Sequence, residues 1–156
     1  MKDLAMVRHI VGITAPVQKT ATFVAPHVAL KKFQAVQFLV LLGALATDGF
    51  VMTVTCSAAT AGGTSTAIAF KYRATAAAGT DTLGDLTAVE STGLDIDQDT
   101  FDNKVLVIDV EGVELTEDKP YVGLTFTDPG NADAVIGVVA ILQPRYPQAT
   151  NDGALT

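Results

Sequence analysis

The sequence predicts an all-β fold, an antiparallel β-sandwich or barrel of seven to eight strands with an extended N-terminal arm. No stretch of a dozen residues places apolar side chains at helical spacing behind a capping residue. Threonine is abundant beside valine and isoleucine, a composition that suits pleated, half-buried surfaces. Apolar runs also recur about every ten residues with turn sequences between them, which is typical of a sandwich or barrel.

The individual strands are predicted from the positions of these runs. The run at 33–45 begins with alternating apolar residues and becomes continuously apolar, as in a strand that enters a covered region. Asp48-Gly49 is a strong hairpin signal after it, and Gly62-Gly63 marks a loop further on. The predicted strands are 33–45, 50–58, 66–74, shorter runs near 86–96, 104–112, 121–128 and 134–142.

The two ends of the chain are predicted to differ from this central β-sandwich domain, 33–147. Residues 1–32 contain two runs that could each form a strand, but Pro16 and Pro26 limit such strands to an edge position. An extended arm is the other interpretation of this segment. Residues 148–156 are mostly small and polar, so we expect a mobile tail there.

Size and composition indicate one domain without a cofactor. A chain of 156 residues can bury one substantial core. The single Cys56 excludes an intrachain disulfide and a multi-cysteine metal site, and its place in a predicted strand favours a buried apolar role. The longest apolar run, 38–46, has nine residues, about half of what a membrane-spanning helix needs. No targeting segment is visible, so we expect a protein made in the cytoplasm that does not associate with membranes.

Charge is distributed unevenly along the chain. Residues 1–73 carry a net charge of +5 and residues 74–156 a net charge of −12, which together give the overall −7. So few clustered cations on an acidic chain are unsuited to binding nucleic acid, which requires several Lys or Arg on one surface. The N-terminal cations instead indicate contact with an acidic protein surface, and simple solvation of both halves is the alternative.

Asp95, Asp97 and Asp99 alternate in the stretch DIDQDTFDN and are weak candidates for a metal site. They match the first three ligand positions of a helix–loop–helix calcium loop, but Thr100 stands where that loop needs Gly and Leu106 where it needs Glu. In a strand the three carboxylates would lie about 7 Å apart on one face, too far to share an ion. We therefore predict no metal site, and instead a solvated polar rim that leads into the strand at 104.

No arrangement in the sequence indicates an enzyme. The sequence contains no nucleophile elbow, zinc-protease helix motif, P-loop or dinucleotide-binding fingerprint. Its histidines are His9 and His27, and no convincing serine or cysteine nucleophile accompanies them. His27 follows Pro26 and precedes an apolar run, which favours a structural position. We expect such a chain to function through its surface, without catalytic residues.

Four stretches of the sequence carry a resemblance to a known group of proteins. They are AVQFLVLLGALATDGFVMTVTCSAA, DNKVLVIDVEGVEL, KPYVGLTFTD and AVIGVVAILQPRYP, of which DNKVLVIDV (102–110) and QPRYP (143–147) are the most specific pieces. Over residues 33–147 the chain resembles small proteins of tailed bacteriophages and prophages that are encoded near the major capsid protein, the head decoration or cement proteins. The stretch TCSAATAGGTS departs from their pattern, since a more acidic turn is expected there.

This resemblance implies a structural protein of the virion, on the outside of an icosahedral phage head, that stabilises contacts between capsomers. Its partners would be the major capsid protein and sister copies of the chain, with a trimer as the implied oligomer. Arg8, Lys19, Lys31 and Lys32 would then contact acidic patches on the shell or on a sister subunit. A neck or tail structural protein, and a calcium- or glycan-binding β module for host attachment, are the alternative functions.

Overall fold

The computed structural model describes residues 8–45, 49–130, 133–146 and 153–155. Within these ranges the chain forms twelve β-strands, one short α-helix and one 3₁₀ turn. In chain order the elements are β1 (His9–Lys19), β2 (Phe23–Val24), β3 (Val28–Ala29), β4 (Phe33–Leu45), β5 (Phe50–Ser57), β6 (Thr66–Ile68), β7 (Phe70–Ala74), β8 (Thr87–Val89), β9 (Leu94–Ile96), α1 (Gln98–Phe101), β10 (Val105–Glu111), the 3₁₀ turn (Gly112–Glu114), β11 (Tyr121–Phe126) and β12 (Ala134–Pro144).

The strands form two antiparallel sheets. In the first sheet the order is β1-β12-β4-β10-β7-β8, and in the second it is β2-β11-β5-β6, where β3 also pairs with β11 and β9 with β5. The long strands β4 and β12 are neighbours in the first sheet, with Val40 opposite Val138. The two sheets enclose one core as the layers of a sandwich, which confirms the predicted all-β class.

The core lies between the sheets because alternate residues of the long strands point into it. In β4, Val36, Phe38 and Val40 are buried, while the residues between them are only half-buried. In β5 of the second sheet, Met52 and Val54 belong to the same buried cluster. Burying one such side chain contributes roughly 2 kcal/mol, so this packing holds the two layers together.

Most predicted strands are present with nearly the predicted limits, but the run at 66–74 is not one strand. Ala69 separates β6, which pairs with β5 in the second sheet, from β7, which pairs with β10 in the first. The prediction of a single strand was therefore wrong, because the chain crosses between the layers at this point. No glycine or proline marks the crossing in the sequence, and the apolar pattern continues through it.

The weak helical signals of the sequence agree with α1, a four-residue helix and the sole α-helix in the described ranges. Asp97 caps it, since its Oδ1 accepts a hydrogen bond from the Thr100 backbone N–H at 2.7 Å. Phe101 is buried at its end and lies near Tyr72, with 6.2 Å between the ring centroids. Asn103 follows with a φ of 55°, a left-handed conformation typical of a helix end. One helical turn is too short to show periodicity.

The described part of residues 1–32 takes the edge-segment form, one of the two forms expected of it. β1 lies at the edge of the first sheet and pairs with β12 along nearly its whole length. The register shifts on both sides of Thr14, and these irregularities accommodate Pro16 within the strand. β2 and β3 pair with β11 in the second sheet, so this segment contributes to both layers.

The predicted tail, 148–156, is described only at 153–155. Ala154 is buried there, and its carbonyl accepts a hydrogen bond from the Ala29 backbone N–H at 2.8 Å. This part of the tail therefore lies against β3. The rest of the predicted tail, residues 1–7 of the predicted arm and Asp48 of the predicted hairpin turn lie outside the described residues.

Candidate protein-interaction surfaces

Three of the four cations predicted to contact a partner lie at one end of the first sheet. Arg8 precedes β1, and its Nη1 donates a hydrogen bond to Gln143 Oε1 at 2.9 Å. Lys31 and Lys32 form the exposed turn before β4, and β4 begins beside the end of β12. The antiparallel pairing of β1, β12 and β4 therefore brings these three residues together.

Arg145 joins this group, although it was not among the predicted contact residues. Its backbone N–H donates to the Lys32 carbonyl at 3.2 Å, and its Nε donates to the Phe33 carbonyl at 3.0 Å. Together with Lys31 and Glu117 it also lines an open cleft of about 420 Å³. No local signal could predict this placement, because it depends on the pairing of strands that are far apart in the chain. We call the following four residues the basic end: Arg8, Lys31, Lys32 and Arg145.

Lys19 is separated from the other predicted cations. It ends β1, an eleven-residue strand whose length corresponds to about 35 Å. Its Nζ lies 4.4 Å from the centroid of the Phe23 ring, a cation–π contact with the second sheet. Lys104 lies at this same end of the first sheet, where its carbonyl accepts a hydrogen bond from the Leu42 N–H. The four predicted cations therefore do not form one surface.

The three aspartates considered for a metal site have separate positions. Asp95 is exposed in β9, Asp97 caps α1, and Asp99 lies in the first turn of that helix. In the described ranges no three His, Cys, Asp or Glu side chains are grouped so that they could hold a metal ion. The stretch is also more than a solvated rim, because Ile96 and Phe101 anchor it in the core.

The outer face of the first sheet, the side turned away from the second sheet, is apolar. Its residues alternate with core residues along β1, β12, β4, β10 and β7. The registers place Val107 opposite Leu39 and Leu39 opposite Val139, so aliphatic rows run across the strands. The aliphatic residues of this face are Ile10, Leu39, Leu41, Val105, Val107, Val135, Val139 and Ile141.

Charged and polar side chains lie at the border of this outer face. Asp109 is exposed there and accepts a hydrogen bond from Gln37 Nε2 at 2.9 Å. Lys71 on β7 is the register partner of Asp109, and Arg73 follows on the same side of that strand. The Arg73 Nη1 donates to the Gly84 carbonyl at 2.8 Å, which holds it at the edge.

The outer face has almost no cover from the described part of the chain. No described strand packs on it, because every strand belongs to one of the two layers, and its aliphatic side chains are half-buried except for Ile10, which is exposed. The ring of Pro16 covers it at one point, since a Cβ on Gly137 would lie 2.9 Å from that ring. The continuous apolar run of β4 predicted a covered strand, yet the second sheet covers only one side of it.

The second sheet differs, because its own chain covers part of its outer side. His27 is fully buried there, and a Cβ on Gly123 would lie 2.6 Å from its Nδ1. The His27 Nε2 is 2.9 Å from Thr55 Oγ1, and its Nδ1 is 3.2 Å from the Ala25 carbonyl oxygen. Burial lowers the pKa of His27 from its ordinary value, although the hydrogen bond to Ala25 acts in the opposite direction. A neutral ring that donates to Ala25 and accepts from Thr55 satisfies both contacts and agrees with a structural position.

The other groups that could carry chemistry are apart from one another. Cys56 is 3% exposed in β5, as expected for a small apolar side chain, and its Sγ lies 3.5 Å from the Thr66 carbonyl oxygen. The His9 ring lies near that of Phe33, with 5.6 Å between the centroids. Among the helices that the structure describes, none is long and apolar enough to span a membrane. The described surface thus offers the basic end and the outer face as its candidate sites.

In structure, the chain is similar to a protein of prophage origin. This protein is the SPBc2 prophage-derived protein YomS, with a TM-score of 0.47 and 12% sequence identity, and the likeness covers 87% of this chain and 94% of that chain. No family model and no curated protein sequence matches the chain.

Proposed function

We propose that the protein is a structural protein of a tailed-phage virion, which decorates the outside of the icosahedral head and stabilises contacts between capsomers. The resemblance of residues 33–147 to head decoration proteins supports the location. The observation that supports the contact is the basic end, where four cations lie together on a chain with a net charge of −7. Acidic patches on the shell are the complementary surface for such a group.

Hydrogen bonds hold two of the four cations in place for this contact. Arg8 is held through its hydrogen bond to Gln143, and Arg145 through its hydrogen bonds to the turn and to the start of β4. Because Lys31 and Arg145 line one cleft, a carboxylate of the partner would bind there, and the Glu117 carboxylate of the same cleft offsets part of their positive charge. Ordered side chains lose less entropy on binding, so modest contacts suffice.

Decoration requires no catalytic residue and no cofactor in this proposal. Many copies bind one shell, so a weak contact per copy is multiplied by avidity when copies also contact one another. The four cations of the basic end contribute +4 to the net charge of −7, which leaves −11 on the rest of the chain. That acidic remainder faces solvent and keeps virions from associating.

Co-sedimentation with capsids that lack the protein tests the proposal. The full chain is expected to bind to saturation, and the double variant Lys31→Glu/Lys32→Glu to bind about tenfold or more weakly, because it reverses two charges at the basic end. Raising the salt concentration should weaken wild-type binding, since exposed charges are screened. A truncated chain that starts at residue 32 is unsuitable for this test, because it lacks β1, β2 and β3.

The matched control is the double variant Lys19→Glu/Lys104→Glu, which makes the same charge change at the opposite end of the first sheet. It should bind as the wild type does. Equal binding by both double variants would contradict the role of the basic end. If the wild type does not bind capsids but binds isolated necks or tails, the protein is a structural component of those parts instead.

A further inference from the structure

We propose that the outer face of the first sheet is a dimer interface, on which a second copy of this chain packs its own outer face about a two-fold axis. This inference goes beyond the capsid proposal and does not rest on it, since the two are tested by different variants and different measurements, although the two surfaces adjoin at Arg8. A face that packs on itself closes with two copies. The expected species is therefore a dimer and not the trimer that the sequence resemblance implies.

The size of the outer face suits a protein interface. Five strands about 4.8 Å apart, each contributing about seven residues at about 3.3 Å, give a footprint on the order of 550 Å² before the relief of the side chains is counted. A stable interface buries roughly 800 Å² of accessible surface on each partner. The largest apolar patch of a typical monomer is about 300–600 Å², so this face is near the upper end of that range.

Charge favours a second copy as the occupant. The charged side chains on the outer face and at its border are Arg8, Lys71 and Arg73 against Asp109 and Glu111, a net charge of +1. Because the whole chain has a net charge of −7, the rest of it carries −8. Two copies would repel one another over most of their surfaces, whereas this face is nearly neutral and lets them approach. Lys71 and Asp109, which have opposite charges, both lie on its border, so each can meet an opposite charge of the other copy.

Shape favours the same occupant. Two stacked sheets pack about 10 Å apart when their twists match, and a second copy has the same twist by identity. Gly12 leaves a gap on the face into which a side chain of the partner can fit, since a Cβ there would meet no atom within 4 Å, whereas Val135 and the Pro16 ring fill the space over Gly43 and Gly137. The face presents few hydrogen-bonding groups, so a complementary partner surface is also apolar. The same face of a second copy meets this requirement.

The sequence of β4 supports a covered outer face as well. From Phe38 to Leu42 every residue is apolar, a pattern that belongs to strands covered on both sides. Leu39 and Leu41 point outward in this run and Phe38, Val40 and Leu42 point into the core. A strand with one wet side would alternate with polar residues instead. Packing against a second copy accounts for both outward leucines.

Sedimentation equilibrium on the full chain tests the proposal. At 1–100 µM, a range set by typical dimer affinities of about 1 µM, the wild type should have twice the monomer mass of 16.2 kDa. Leu39→Lys should be a monomer throughout this range, because it places a charge at the centre of the interface. Val107→Thr, which keeps the shape of the side chain, should weaken dimerisation by about tenfold, since a hydroxyl of each copy is then buried.

The matched control is Thr53→Lys, which makes the same kind of change on the outer side of the second sheet and should leave the dimer intact. Circular dichroism and the thermal midpoint show whether each variant is folded, and Val107→Thr provides the test if Leu39→Lys does not fold. A wild type that is monomeric at 100 µM overturns the proposal. A dimer of unchanged affinity in folded Val107→Thr, or a trimer, overturns it as well.

Discussion

The outer sides of the two sheets differ in composition and in what covers them. On the first sheet that side is aliphatic and is covered at one point, by the Pro16 ring. On the second sheet it carries Thr53, Thr55 and Thr125, and the Thr55 and Thr125 hydroxyl oxygens are 3.3 Å apart. His27 covers this threonine-rich side and binds Thr55 directly.

The two outer sides obtain their packing partners from different sources. Buried polar groups need hydrogen bonds of defined geometry, and residues of the same chain can supply them with little loss of entropy, as His27 does for Thr55. An aliphatic face needs only another apolar surface of similar shape. We therefore expect substitutions on the outer side of the second sheet to change the stability of the monomer. Substitutions on the outer side of the first sheet should instead change the association of two copies.

Two glycines on opposite outer sides provide the largest expected contrast. Gly123→Ala should lower the free energy of unfolding by about 3 kcal/mol, because the new Cβ would overlap the buried His27 ring. Gly12→Ala should change it by no more than about 0.5 kcal/mol, since a Cβ there meets no atom within 4 Å. Urea unfolding of both variants at one protein concentration measures this contrast. Equal losses would mean that the two sides are packed alike.

A hydroxyl-to-methyl exchange should have an intermediate effect. Thr55→Val should lower the free energy of unfolding by about 1–2 kcal/mol, because it leaves the buried His27 Nε2 without its partner at 2.9 Å. Thr53→Val is the control, since its Oγ1 lies 3.5 Å from the Thr125 carbonyl oxygen, and it should cost less than about 0.5 kcal/mol. Thermal unfolding at pH 8 measures both. If Thr55→Val leaves the free energy of unfolding unchanged, the buried His27 ring does not need this hydrogen bond for stability.

Acidification should produce a smaller, graded effect on the second sheet. Burial lowers the pKa of His27 in the folded chain, so the unfolded chain binds more protons near the ordinary histidine value. The stabilising contribution of neutral His27 is therefore present above about pH 6.5 and is lost as the pH falls through that value towards the lower folded pKa. The wild type should have a higher thermal midpoint than His27→Gln at pH 8, and this difference should shrink as the pH is lowered to 5. A constant difference between the two proteins across this range would argue against the mechanism.

The sequence predicted the elements of the sheets better than their arrangement. The strands β4, β5, β10, β11 and β12 are visible as apolar runs between turn residues, because a strand imposes its two-residue period on its own sequence. The crossing at Ala69 has no such local cause. The position of the crossing depends on which sheet β6 and β7 join. Their pairing with β5 and β10 decides this.

The candidate surfaces show the same limit. Arg8, Lys31 and Lys32 were identified from charge, but their separation from Lys19 and their proximity to Arg145 follow from strand pairing. The apolar run of β4 signalled that more than one side is covered, and it could not show which side the chain itself covers.

The all-β class, the acidic charge and the strands with continuous apolar character can be predicted from the sequence, because they depend on neighbouring residues and on composition. Strand pairing and packing place His27 over Gly123, bring four cations to one end of a sheet, and leave one aliphatic side with almost no cover from the described chain. Each of these features requires contacts between residues that are distant in the sequence. Such contacts depend on the packing of the whole core, and no local sequence pattern encodes them.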